Sequence, residues 1–122
     1  MPLCSLTQSD LDQFIGSENY YRHSLVRNFS YTDGVKFLAD EAQAHWLVDE
    51  IALANAFNER VRAEEFQVWI LKKKPSRVGA VLCCENGNGV TVLSHFIHIQ
   101  DFPLDTVKLY FENRVLCLPS ER

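Results

Sequence analysis

The spacing of apolar positions changes character about halfway along the chain. Leu11, Phe14 and Ile15 recur at helical intervals behind Thr7 and Asp10, which read as a capping pair. Leu6 and Leu11 sit where a hydrophobic staple would place them, and Gly16 is a natural stop, so the pattern predicts a short helix over 8–15. Residues 17–31 keep no period; they predict one short strand or an extended segment packed by Tyr20, Tyr21, Leu25 and Phe29. From Thr32, whose hydroxyl can cap a helix, Val35, Leu38, Ala39 and Ala42 fall at i, i+3, i+4 and i+7. Leu47, Ile51, Ala54 and Phe57 make a further stripe, flanked by Trp46 and Val48. With no glycine or proline after Gly34 in this stretch, 32–57 reads either as two helices or as one bent helix.

Beyond about residue 64 the pattern becomes that of strands: 66–71, 78–84, 90–99, 107–111 and 115–118, separated by turn-forming residues. Helices followed by short-looped strands predict an α+β fold, with two to three N-terminal helices packed on one face of a four- to five-stranded antiparallel meander. The strands are apolar on both sides. Phe66, Val68 and Ile70 share one face of the first while Trp69 and Leu71 populate the other; in the third, Val90, Val92 and Phe96 oppose Leu93, Ile97 and Ile99. A sheet covered on one side should leave its second face polar, so the expected cover for this one is more of the same chain or a second copy of it.

Composition narrows the class without changing the fold. The 122 residues suit one domain over 1–122, and 47% hydrophobic with 23% charged residues is the balance of a globular protein. A net charge of −4 supplies no global attraction for nucleic acid or an anionic membrane. No apolar run reaches the roughly 18 residues of a membrane span, and the first residues lack the basic and apolar regions of a signal peptide. The expected location is therefore a cytoplasm, with Cys4, Cys83, Cys84 and Cys117 reduced; they form no CxxC and read as small buried hydrophobes.

Candidate chemistry is sparse. His95, His98 and Asp101 are spaced like a ligand set, but on a strand residues 95 and 98 point to opposite faces, so no metal is expected there. His45 and Asp49 share a helix face; with ligands from elsewhere the pair suits a metal, but in the absence of another ligand motif it predicts a local hydrogen bond. Asp49 and Glu50 diverge by about 100° on a helix and do not converge on one bond. Cys83 and Cys84 likewise face opposite sides of a strand, and the glycines after them lie between two strands, where Asn86-Gly87 and Asn88-Gly89 suit a hairpin. No cofactor fingerprint is present. Lys72, Lys73, Lys74 and Arg77 crowd one hairpin; this is a basic patch for phosphates or, more ordinarily, a charged device that keeps a sheet edge unpaired. Net acidity weighs against nucleic acid as the partner.

The phrases LTQSDLDQFIGSENYYRH, YTDGVKFLADEA, HWLVDEIA, EFQVWIL, IQDFPL and LCLPSER occur in this order along the chain. In that combination the chain resembles a family of small uncharacterised bacterial proteins classed as a domain of unknown function. The resemblance implies relatives in cyanobacteria and other bacteria, often on plasmids or phage-like elements, and implies no activity, cofactor or catalytic residue. One departure concerns the last hairpin, where the family usually has an Asn-Gly type turn and this chain has Asn113-Arg114. Arg114 disfavours two consecutive positive φ angles, so a longer or distorted hairpin is expected. The family phrases also point to Asp33, Asp49, Asp101 and Glu121, read first as turn-formers and caps, and secondly as a shared acidic patch.

Tyr20, Tyr21, Arg22 and His23, in the segment without a period, together with Trp69, are the candidate binding residues, since tyrosine, tryptophan and arginine favour interfaces. The leading expectation is a binding protein, a homodimer or the partner of another protein, serving a mobile element or its host. The rival is a small enzyme with a site between Tyr20–His23 and the helices.

Overall fold

The computed structural model describes residues 6–16, 19–74, 79–98 and 102–122. Cys4, Arg77, Ile99 and Asp101, named above, lie outside these. Among the described residues are four α-helices, α1 (Gln8–Asp12), α2 (Asp33–Glu41), α3 (His45–Phe57) and α4 (Glu59–Arg62), and a 3₁₀ turn at Pro119–Glu121. Seven strands accompany them: β1 (Tyr20–Arg22), β2 (Ser30–Thr32), β3 (Phe66–Lys73), β4 (Ala80–Asn86), β5 (Thr91–Ile97), β6 (Thr106–Glu112) and β7 (Val115–Cys117). The α+β class holds, but the sheet is larger than expected and mixed. Its order is β1-β2-β7-β6-β3-β4-β5, antiparallel throughout except for the parallel pair β2–β7. The two additional strands come from the segment without a period. Each has three residues, too few for alternation to register, and β2 is placed by a partner far along the chain.

The stretch 32–57 is two helices. The break is at Ala42–Ala44, where Gln43 takes φ 52°, a left-handed value that ends the first helix without glycine. At its start, Thr32 Oγ1 accepts from Val35 N, as the sequence predicts. The other N-terminal partner was not foreseen. Glu121, from the 3₁₀ turn, accepts from Thr32 Oγ1 at 2.5 Å, from Gly34 N at 3.0 Å and from Leu118 N at 3.0 Å. A carboxylate is favourable at the positive end of a helix. Gly34 leaves room for this contact: a Cβ would come within 2.6 Å of both the Glu121 carboxylate and the Leu118 side chain and push them aside. The phrases YTDG and LPSE thus meet in space.

The core lies on one face of the sheet. Leu109, Trp69, Cys84 and Leu93 pair in one row across β6-β3-β4-β5, and Val107, Leu71, Leu82 and His95 in the next. Leu47, Val48, Ile51 and Ala52 of α3 and Val35, Leu38 and Ala39 of α2 are buried in the same cluster. One polar knot interrupts it. Gln67 and Asn55 exchange amide hydrogen bonds (2.7 and 3.1 Å), Trp69 Nε1 donates to Gln67 Oε1 (2.8 Å), and Gln67 Nε2 also reaches the carbonyls of Val61 and Glu64. No buried side-chain nitrogen or oxygen among the described residues lacks a partner. A satisfied buried network of this kind specifies one docking of α3 and α4 on β3.

The opposite face carries Tyr110, Val68 and Glu85 in one row, Lys108, Ile70, Cys83 and Ser94 in the next, and Lys72, Val81 and Phe96 in a third. Val68, Ile70, Val81 and Cys83 are half-buried and stand outside the core cluster that α2 and α3 share with the other face. Arg122 covers one end. It stacks over Phe66 and Tyr110 (4.7 and 4.9 Å to the ring centroids) and pairs with Glu112.

Candidate recognition site

The loop between β1 and β2 is organised by His23. Its Nδ1 accepts from the backbone N–H groups of Leu25 and Val26, both at 3.1 Å, so the ring proton is on Nε2, which donates to Asp49 Oδ1 at 2.7 Å. The ring is only 5% exposed and meets Phe29 edge-on. Both ring nitrogens are therefore committed to holding the loop and neither is presented to a substrate. The local pair expected between His45 and Asp49 does not form: His45 Nε2 lies 2.9 Å from Asp40 Oδ1, while Asp49 serves a histidine 26 residues earlier. Sequence spacing along one helix holds no signal for that longer contact.

The other proposed binding residues separate. Tyr20 is exposed at the sheet edge. Tyr21 donates its hydroxyl to Asp33 Oδ1 (3.0 Å), stacks on Tyr31 and lies under the Lys36 ammonium. The hydrogen bond to the Asp33 carboxylate holds its phenol above the usual range. Arg22 is exposed and lines a cleft with His23, whereas Trp69 is 1% exposed and belongs to the core, with its indole N–H used by Gln67. Tyr21 and His23 thus do not converge on one pocket, and Trp69 offers almost no surface to a partner. In the lysine run, Lys73 donates to the carbonyl of Phe102 (2.9 Å), Lys72 stands on the open sheet face and Lys74 is exposed. The carboxylates singled out above are likewise distributed: Asp33 to Tyr21, Asp49 to His23 and Glu121 to the start of α2. Asp33 and Glu121 thus both serve the start of α2, while Asp49 serves the loop before β2.

Two clefts flank the loop. One, of about 580 Å³, is lined by residues 22–29. The second, of about 410 Å³, shares Leu25, Val26 and Arg27 and adds Leu53 and Phe57 of α3, Arg62 of α4 and Arg114. Phe57, expected in the apolar stripe of α3, is 80% exposed. The buried stripe is instead Leu47, Val48, Ile51, Ala52 and Asn55, rotated away from it. The expected distortion at Asn113-Arg114 is also overturned. Glu112 pairs directly with Val115, and the two-residue turn has φ 55° at Asn113 and 64° at Arg114. Arg114 tolerates the left-handed angle because its Nε donates to the carbonyl of Asn28 (2.8 Å) and its guanidinium stacks 5.1 Å over Phe111.

The adjacent cysteines divide as strand geometry requires. Cys84 is buried on the helix side, where desolvation, helped by Glu64 and Glu85, pushes its thiol up to about 12. Cys117, also buried, is pushed up to about 11, chiefly by the same desolvation. Cys83 is half-buried on the open face, 3.6 Å from Ser94 Oγ. Of the two Asn-Gly pairs, only Gly89 takes a positive φ (79°); Asn86 Oδ1 accepts from Asn88 N and Val90 N and closes the turn. Among the described residues no three His, Cys, Asp or Glu side chains are grouped to hold a metal ion, and no helix is long and apolar enough to cross a membrane.

The sequence model of DUF6876, a family of unknown function, matches residues 5–122, so the chain belongs to that family. No curated protein and no solved structure matches it significantly.

Proposed function

We propose that this member of a family of unknown function works by binding, and that a second copy of the chain covers the open face of its sheet. The observation carrying this reading is the apolar centre of that face, Val68, Ile70, Val81 and Cys83, flanked by Phe66, Phe96 and Tyr110. With strands about 4.8 Å apart, the patch spans roughly 15–20 Å each way, a contiguous half-buried apolar area on one sheet face. Lys72 and Lys108 on one side and Glu85 on the other give it both signs of charge. A two-fold contact uses one patch twice, so a patch with both signs can pair with itself.

The proposed setting is a bacterial cytoplasm, as one domain acting as an accessory factor of a mobile element or its host. Genes for plasmid replication or defence beside its own would agree with that role, and a consistently metabolic neighbourhood would contradict it. Light scattering after size-exclusion chromatography tests the assembly. The expected mass is twice the 14.0 kDa of the chain, falling to one chain for Ile70→Asp. A wild-type monomer at high concentration, or a dimer that ignores the substitution, overturns the reading.

A further inference from the structure

We infer that the two clefts around residues 22–29 form one docking surface for an acidic peptide segment bearing bulky apolar side chains. The charge is concentrated where little else in the molecule explains it. Arg22, Arg27, Arg62 and Arg114 are four of the chain's seven arginines, in a protein of net charge −4. Among the described residues, none of the four lies within ion-pair distance of a carboxylate; of the arginines, only Arg122 does. Arg62 spends one N–H on the carbonyl of Ala56, and Arg114 its Nε on that of Asn28. A guanidinium has five donors, so both keep others in reserve. Asp49 hydrogen-bonds His23 and lines neither cleft.

The apolar part is equally specific. Leu25 is 81% exposed and Phe57 80%, and both line the second cleft with Leu53. Leu53 and Phe57 stand four residues apart on α3, on one side of the helix and off its buried stripe. Arginines around exposed large apolar side chains are the composition of a protein-binding hot spot.

The surface is also held in place before any partner arrives. His23 fixes the loop with both ring nitrogens, and Asn28 and Arg114 both take left-handed backbone angles (φ 59° and 64°) where they touch. A left-handed angle is strained for most residues other than glycine, and such strain concentrates at sites where a side chain must be aimed. Arg114 occupies a turn that glycine would fill more easily, and its guanidinium ends at the cleft.

Carboxylates suit these arginines through paired N–H···O bonds. A peptide fits better than a nucleic acid because the lining has aliphatic side chains and no lysine, and because the molecule's negative charge opposes a polyanion. None of the lining residues belongs to the open sheet face, so this surface stands independently of the proposed dimer.

Selection from a random 12-residue peptide library displayed on phage, against the full chain, tests the inference. The enriched peptides should be rich in Asp and Glu interspersed with Leu, Phe or Trp, and their affinity should fall as salt rises. Binding should weaken at least tenfold in Arg27→Ala/Arg62→Ala and, separately, in Leu53→Ser/Phe57→Ser. The substituted side chains are exposed, so circular dichroism should remain that of the wild type in both. No enrichment, enriched peptides without acidic character, undiminished binding by either folded variant, or oligonucleotides displacing the peptides at lower concentration would each overturn it.

Discussion

Gln67 shows how much one buried side chain can decide. Its amide ties α3 through Asn55, the α4 region through the Val61 and Glu64 carbonyls, and Trp69 through the indole N–H. Gln67→Leu fills similar volume but strands Asn55 Oδ1 and the Trp69 N–H, while Asn55 Nδ2 keeps the Ile51 carbonyl. Leaving buried polar groups without partners should cost on the order of 3 kcal/mol in guanidinium unfolding. A loss below about 1 kcal/mol, within the range of a single ordinary hydrogen bond, would mean the network is dispensable. Cys84 makes a prediction of the opposite kind, about pH. Burial favours its neutral thiol, so the folded protein keeps a proton that the unfolded chain releases near the usual thiol value. Its contribution is intact below about pH 8.5, where both states hold the proton, and is lost progressively as pH rises toward about 12. Stability measured from pH 8 to 11 should fall, and fall less steeply in Cys84→Ala; parallel slopes would remove Cys84 as a cause.

Among the elements, those made by local patterns were legible and those made by distant partners were not. The Thr7–Asp10 cap, the Thr32 cap, the β3–β4–β5 succession and the opposed faces of Cys83 and Cys84 follow from spacing and turn chemistry. β1 and β2 escaped because three-residue strands hold no period, and the parallel β2–β7 pair joins residues about 85 apart. The site was only partly legible. Composition drew attention to Tyr20–His23, yet nothing in the spacing brings His23 to Asp49 or Arg114 to Asn28. Trp69 read as a recognition residue because its size suits interfaces, whereas the register assigns it to the covered face.

The start of α2 carries the element-scale test. Glu121 brings negative charge to that segment, accepts two hydrogen bonds from it and accepts a third from Leu118 N at its own turn. Glu121→Gln removes the charge and turns one acceptor into a donor facing Gly34 N–H or Thr32 Oγ1. Helix-terminal charge and capping losses of this kind should lower stability by about 1–2 kcal/mol. Thermal melts equal to the wild type would show that the C-terminal turn does not anchor the helix.

At the scale of the whole molecule, the sheet divides the protein into a packed side and an open one. The Leu109–Trp69–Cys84 row belongs to the core cluster with the helices, while Val68, Ile70, Val81 and Cys83 stay half-buried outside it. Arg122, stacked on Phe66 and Tyr110, closes only one end. Among the described cysteines Cys83 is a natural reporter at the centre of that face, because Cys84 and Cys117 are buried on sites that suppress their thiolates. The alkylation rate of Cys83, followed by mass spectrometry as protein concentration is raised, tests self-association and its location together. The rate should fall at least severalfold as the wild-type protein assembles and stay constant in Ile70→Asp. A wild-type rate independent of concentration, up to concentrations where light scattering finds two chains together, would place the contact elsewhere and contradict the account.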